Sequence, residues 1–275
     1  MNWPRITVVT PTYNRVEFLE ECIQSVLSQN YPNLEFIICD GGSKNEALFE
    51  LIRKYEDKLA WWDSVPDKGH AEAIRRGFDN STGEILAYLC SDDCYLSGAL
   101  FAIAKSFTQN PDADVFFGNT VTLGNDGIVV SEKHCFPYNR FALFTTLPWC
   151  QPSMFWTRKI YNKAGAHFGG FNWEFVVYEP NVDIVARFYN AGAKFQFIKK
   201  LLSVDRRHDG TVTAIQNGAV RKYSWNEIRN VQPFLTHPFV YPILFNIMRV
   251  YQVFALVMIG DGKFALQSIK NKFRK

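Results

Sequence analysis

This 275-residue chain contains no CxxC pair, no G-x-G-x-x-G and no unbroken apolar run of the roughly 20 residues that a membrane span needs. Its six cysteines (Cys22, Cys39, Cys90, Cys94, Cys135, Cys150) are scattered, mostly in apolar runs. Neither a zinc site nor a disulfide framework is indicated, and a reducing cytoplasm is the expected setting. Without the glycine fingerprint, a dinucleotide-binding enzyme is a poor reading. A nucleotidyltransferase would need a basic, glycine-rich triphosphate loop near the amino end, and none is there. The net charge of +3 is too small to argue for nucleic acid. Pro4, Arg5 and Glu17 break any basic-then-apolar leader, so no signal peptide is expected.

What is present is apolar mass. Hydrophobic residues make up 47% and aromatics 16%, enough for a sizeable core. The expected organisation is one large α/β domain over 1–215 and a helical extension over 216–275. Ile6-Thr7-Val8-Val9-Thr10 is β-branched and reads as a buried strand stopped by Pro11. Asn14 can cap a helix from Val16 to Leu27, which has apolar residues at 16, 19, 22, 23, 26 and 27. Strands at Leu34–Cys39, near Leu59–Trp62 and at Ile85–Leu89 alternate with helices through Leu48–Tyr55 and His70–Phe78. This β-α-β-α-β-α-β order predicts a parallel sheet with right-handed crossovers.

Strand ends in that pattern are polar: Thr12-Tyr13-Asn14, Asp40-Gly41-Gly42-Ser43 and Ser91-Asp92-Asp93. In a parallel sheet these ends share one edge, where open α/β sheets bind ligands. Asp40, Asp67, Asp92 and Asp93 would then meet in one crevice. Carboxylates gathered there are costly unless a cation or donor groups offset them. Two adjacent acids can hold a hard divalent cation, and the cation a diphosphate. Each acid taken alone is equally at home in a turn or a helix cap.

Residues 6–105 resemble the nucleotide-sugar-binding half of an inverting family-2 glycosyltransferase of the GT-A type. The resemblance is carried by Thr7–Arg15, Ser25–Asn33, Asp40-Gly41-Gly42-Ser43, Asp67-Lys68-Gly69 with Ala71–Gly77, and Ser91-Asp92-Asp93, in order and at family spacing. It implies a Rossmann-like, mostly parallel central sheet flanked by helices. It also implies roles. Pro11, Thr12 and Tyr13 would line the nucleobase pocket, Asp40 would bond the base or ribose, and Asp67 would lie beside the uridine or sugar. Ser91-Asp92-Asp93 matches the family's Asp-x-Asp element with Ser91 in place of the first acid. Asp92 would face ribose or sugar, and Asp93 would ligate Mn²⁺ or Mg²⁺.

Further on, Leu96–Phe107 reads as a helix, Val115–Gly118 as a strand, and Val121–Leu123 with Ile128–Val130 as a hairpin around Gly124-Asn125-Asp126-Gly127. Gln151-Pro152-Ser153 resembles a family segment under the donor sugar or acceptor; an edge turn reads equally well. Phe168–Asn172 resembles the family's Gly-Gly-Phe loop before the catalytic helix. Relatives place an Asp base at that helix start, and by the spacing to Arg187 this chain has Asn181 there. An amide cannot accept the proton, so Asp183 is favoured as base, with Glu179 as alternate. Phe195–Ile198 and Leu201–Val204 are strand-like. Arg206-Arg207-His208 looks like the family's diphosphate loop, with His208 a ligand to metal or diphosphate and Arg206 or Arg207 a charge partner.

Ile243–Ile259 is almost wholly apolar, interrupted by Asn246, Arg249 and Gln252, and Lys263, Lys270, Lys272, Arg274 and Lys275 follow. A central Arg costs a true span roughly 2.5–3.5 kcal/mol. A peripheral helix on anionic lipid is therefore the preferred reading, ahead of a helix packed on protein or in a dimer. The implied activity is metal-dependent, inverting transfer from a nucleotide sugar, most simply a UDP-sugar, to a glycan or lipid-linked acceptor. The expected location is the cytoplasm, peripheral on the inner face of the plasma membrane. The alternative, favoured by Asn181, is a non-catalytic nucleotide-sugar-binding subunit of a polysaccharide-assembly complex.

Overall fold

The structure, a computed structural model, describes residues 2–124, 126–137, 150–165, 180–211 and 240–265. Strands β1 (Ile6–Thr12), β2 (Leu34–Asp40), β3 (Trp61–Ser64) and β4 (Ile85–Tyr88) alternate with helices α1 (Leu19–Leu27), α2 (Glu46–Lys54) and α3 (His70–Asp79). They are followed by β5 (Cys94–Tyr95), α4 (Ala99–Gln109), β6 (Val115–Leu123), β7 (Val129–Lys133), β8 (Met154–Thr157) and α5 (Arg158–Lys163). Helix α6 (Pro180–Asn190), β9 (Phe195–Arg206) and α7 (Val240–Met258) complete the described elements.

The sheet runs β3-β2-β1-β4-β8-β6-β9-β5, with β7 added to β6. The first four strands are all parallel. β8 is inserted antiparallel between β4 and β6, and β6 and β9 are parallel. The chain leaves β1 for β2 on one side and returns to β4 on the other. That reversal opens a crevice at the carboxyl ends of β1 and β4, where α/β sheets place ligands.

Both faces of the sheet are covered, which is why its central strands lack polar alternation. Ile6 and Val8 of β1, with Phe36 and Ile38 of β2, pack with Leu19, Ile23, Leu48, Ile52, Leu100 and Ile103. Val9, Ile37 and Cys39 face the other way, against Ile74, Phe78, Trp156, Tyr161 and Phe188.

Several boundaries differ from expectation. Pro11 lies inside β1 rather than ending it. β4 pairs with β1 only as far as Val9, so Pro11's missing N–H falls where β1 is flanked by β2 alone. α1 begins at Leu19, not Val16, and Asn14 does not cap it. Asn14 adopts φ 52° and ties two loops together, accepting from Lys44 N (3.1 Å) and donating its own N–H to Ser43 Oγ (2.6 Å). The two strands expected between 195 and 204 are one, β9, with register shifts opposite Gly118 and Asn119. Among the described residues, no helix is long and apolar enough to cross a membrane.

Candidate functional site

Register places Thr12 opposite Asp40, and Asp40 opposite Ser64, at the carboxyl edge. Asp40 has no exposed surface. Its carboxylate accepts from Gly42 N (3.0 Å), Ser43 N (2.7 Å), Ser43 Oγ and Ser64 Oγ (2.6 Å). Read from the sequence as a ligand contact, Asp40 here shapes the loop after β2. Thr12 Oγ1 is buried without a protein partner, Pro11 is buried, and Tyr13 is 64% exposed above them.

Asp67 belongs to a second cluster, centred on Arg76 of α3. The Arg76 guanidinium donates to both oxygens of Asp63 (3.0 and 3.2 Å), to Asp67 Oδ2 (3.1 Å) and to the Asp40 carbonyl (2.9 Å). Asp67 Oδ1 accepts from Gly69 N at 2.9 Å. Burial raises the Asp67 carboxyl's pKa, against the opposing pull of Gly69 and Arg76. A Cβ on Gly41 would come within 3.1 Å of Asp67 Oδ1, so the glycine leaves room for this carboxylate. The sequence motif 71–77 had flagged the helix but not Arg76, whose partners come from β2, β3 and the loop after β3.

The third cluster is the one organised by Ser91-Asp92-Asp93. Asp92 Oδ2 lies 2.8 Å from Arg15 Nη1 and 3.0 Å from His208 Nε2. Arg15 Nη2 donates to Gly210 O at 2.7 Å. Asp93 is buried and accepts from Arg206 N at 3.0 Å. Burial first, then the charges of Asp92 and Asp205, pushes its pKa well above the usual carboxylate range. Arg206 donates to Glu21 (2.7 Å) and lies 4.5 Å above the Phe18 ring. Arg207 is exposed, 3.7 Å from Asp205. Thus Asp92, Asp93 and His208 meet in one place, as expected. Arg206, one of the two arginines expected to neutralise charge there, joins them, and so do Arg15 and Asp205, which had not been singled out for this cluster.

One ligand atom each from Cys90, Asp92 and Asp93 lies within 4.8 Å of the others. Burial pushes the Cys90 thiol well up, so it stays protonated; the oxygens of Asp92 and Asp93 are the harder donors, and a cation there would offset the burial and the neighbouring acids that raise Asp93. Such a hard, oxygen-rich set fits Mg²⁺ or Mn²⁺. Gln151 Nε2 donates to Tyr88 O (2.6 Å), and Cys90 Sγ approaches Gln151 Oε1 at 3.8 Å, so Gln151 sits beside this cluster. His70 opens α3 nearby; burial lowers its pKa to about 4, with Asp92 acting in the opposite direction. Asp183 is in the first turn of α6, whose amino end points back toward the carboxyl edge because α6 leads into the start of β9. Glu179 and the Phe168–Asn172 loop lie outside the described residues.

Comparison with known proteins fits this geometry. An Escherichia coli UDP-Glc:alpha-D-GlcNAc-diphosphoundecaprenol beta-1,3-glucosyltransferase is 26% identical over 124 residues, 45% of this chain and 49% of that protein. A Campylobacter jejuni GalNAc(5)-diNAcBac-PP-undecaprenol beta-1,3-glucosyltransferase is 32% identical over 109 residues, 38% of this chain and 35% of its own. This chain therefore spans half or less of these curated relatives. Residues 1–349 of S. aureus TarS superpose with a TM-score of 0.63 at 16% identity, covering 82% of this chain and 65% of that one. The same TarS fragment in complex with UDP-GlcNAc gives 0.59 at 16% identity, covering 83% and 67%. That likeness is one of fold, the GT-A arrangement of a central sheet between helices. Residues 7–165, more than half of the chain, match the model for glycosyl transferase family 2, and the chain belongs to that family.

Proposed function

We propose that this chain transfers a sugar from a nucleotide-sugar donor, a UDP-sugar first, to a hydroxyl of a glycan or lipid-linked acceptor in polysaccharide assembly, with inversion. The observation that carries the reading is the meeting of Asp92, Asp93, Arg15, Arg206 and His208 at the strand-order reversal. Two relatives named for undecaprenol-linked acceptors and a fold neighbour seen with UDP-GlcNAc support the donor and acceptor classes.

Asp93 and Asp92, with His208 close by, would hold a Mn²⁺ or Mg²⁺ ion, which supplies charge against the departing diphosphate. Arg207, exposed at the mouth, adds cationic charge there. Tyr13 offers an exposed ring for the base, and Thr12 Oγ1 an unpartnered hydroxyl beneath it. A nucleoside diphosphate leaves readily, so no protein acid is required. The acceptor's proton needs a carboxylate on the far face of the sugar, and Asp183 is our choice, with Glu179 as alternate. The transition state is oxocarbenium-like, as in glycoside hydrolysis. Asn181 at the family's base position favours one second reading, a nucleotide-sugar-binding subunit without turnover. The extension beyond residue 215 is proposed to lie on anionic lipid.

The test is incubation with Mn²⁺ and a panel of nucleotide sugars, measuring released nucleotide and thermal shift. The transferase reading expects slow donor hydrolysis, and a shift without release supports the non-catalytic subunit. Asp93→Ala should abolish metal-dependent UDP binding. Unchanged affinity in that variant would remove Asp93 from the site.

A further inference from the structure

We propose that Arg15 is an internal counter-ion of this site: its guanidinium occupies Asp92 and His208 while no donor is bound, and moves to the donor's diphosphate when one arrives. The inference rests on the donor-site reading above. Arg15 Nη1 lies 2.8 Å from Asp92 Oδ2 and 2.9 Å from His208 Nε2, and Nη2 reaches Gly210 O at 2.7 Å. One cationic side chain thus joins the loop after β1 to the acid pair after β4 and to the loop leaving β9.

The hydrogen bonds around His208 show that this arrangement is crowded. Gly210 N–H donates to His208 Nδ1 at 3.2 Å, so that nitrogen is the acceptor and the imidazole proton is on Nε2. Nε2–H then donates to Asp92 Oδ2 at 3.0 Å. Arg15 Nη1 carries only donors, so its 2.9 Å approach to Nε2 sets two donors side by side on one carboxylate oxygen. Arg15 is also 29% exposed, so its guanidinium has a solvent side from which it can turn from Asp92 toward an incoming ligand. A diphosphate offers more charge and the two-pronged geometry that a guanidinium prefers. Moving to it relieves the crowding and frees Asp92 and His208.

A positive charge this close to Asp92 also opposes a second cation. A divalent ion alone should bind weakly, and ion and nucleotide should strengthen each other, because the diphosphate draws Arg15 off the acid. The site would then load ion and donor together.

Arg15→Gln separates this role from a merely structural one. Mn²⁺ affinity, measured by electron paramagnetic resonance without nucleotide, should rise about tenfold, the scale of removing one unit charge at this distance in partly screened surroundings. UDP affinity at saturating Mn²⁺, measured by calorimetry, should fall about tenfold. A scaffold defect would weaken both, and that result, or an unchanged Mn²⁺ affinity, would overturn the proposal. Arg15→Lys keeps the charge without the fork. It should keep the weak Mn²⁺ binding of the unaltered protein and lose part of the UDP affinity, and it carries the test if the Gln variant does not fold. If the unaltered protein binds neither Mn²⁺ nor UDP, the donor-site reading itself has failed, a result distinct from an Arg15 variant that changes nothing.

Discussion

At the amino end of α3 an imidazole sits where a positive charge is doubly disfavoured. His70 is the first residue of the helix, the end whose dipole disfavours a cation, and burial lowers its pKa from 6.5 to about 4 against the opposing pull of Asp92. A folded-state value below the unfolded one means that the unfolded chain takes up the proton first. The stabilisation is therefore complete above pH 6.5 and is lost as pH falls from there toward 4. Its size is up to about 3 kcal/mol. His70→Gln should flatten this limb: the stability difference between the two proteins, from urea midpoints, should change between pH 7 and pH 4.5. A difference constant with pH would mean that the imidazole is open to water. Sequence alone gave His70 no role beyond starting a helix, because its environment comes from the fold around it. The same is true of Arg76, which links Asp63 of β3 and Asp67 of the loop after it to the carbonyl of Asp40, and of Asp205, over a hundred residues along the chain from Asp93.

Helix α3 shows how closely element and sheet must meet. A Cβ on Gly77 would lie 2.4 and 2.7 Å from the methyls of Val9 in β1. In an exposed helix Gly→Ala gains up to about 1 kcal/mol. Here the added methyl meets a buried central strand, and overpacking of that kind costs about 1–3 kcal/mol. Gly77→Ala should therefore destabilise the protein by about 1 kcal/mol or more in urea titrations, and adding Val9→Ala should recover part of that loss. A stabilised single variant would show that α3 can stand off the sheet. The apolar periods of β1 through α3 were legible because each strand is buried on both faces and each helix on one. The second half was less so. β5 is two residues long and is defined only by its pairing with β9. β9 looked like two strands because Lys199 and Lys200 interrupt its apolar run at the register shift. The acid pair and His208 were correctly placed together, whereas Asp40 was legible as an important residue but not as a buried one. Its neighbours Ser43 and Ser64 take up its oxygens only once β2 and β3 are side by side.

Over the whole molecule, charge and apolar surface are unevenly distributed. Residues 240–275 hold six cations (Arg249, Lys263, Lys270, Lys272, Arg274, Lys275) against the single acid Asp261, a net +5 in a chain that totals only +3. Helix α7 packs inward through Met248, Ala255 and Leu256. Outward it presents Ile243, Ile247, Val250, Phe254, Val257 and Met258, each between 54% and 71% exposed. Its end is fastened to the central sheet: His134, just past β7, pairs with Asp261 (3.0 Å) and Glu132 (2.8 Å) while Phe264 stacks on the ring. The hairpin that β7 completes carries its own exposed Ile128, Val129 and Val130. An exposed apolar stripe in a segment rich in cations and almost without acids suits an anionic lipid surface better than water. The expected result is co-sedimentation with vesicles containing anionic lipid, weakening as salt rises, and its loss in the double variant Ile247→Asp with Phe254→Asp. His134→Ala tests the fastening. If the clasp holds α7 to the sheet, this variant should still bind vesicles but should expose α7 to protease more readily. A concentration-dependent dimer that dissociates in the double variant, with no vesicle binding by the unaltered protein, would instead assign the stripe to a second copy of the chain. The two outcomes separate cleanly because only lipid binding draws on the cations of this segment and so falls with ionic strength.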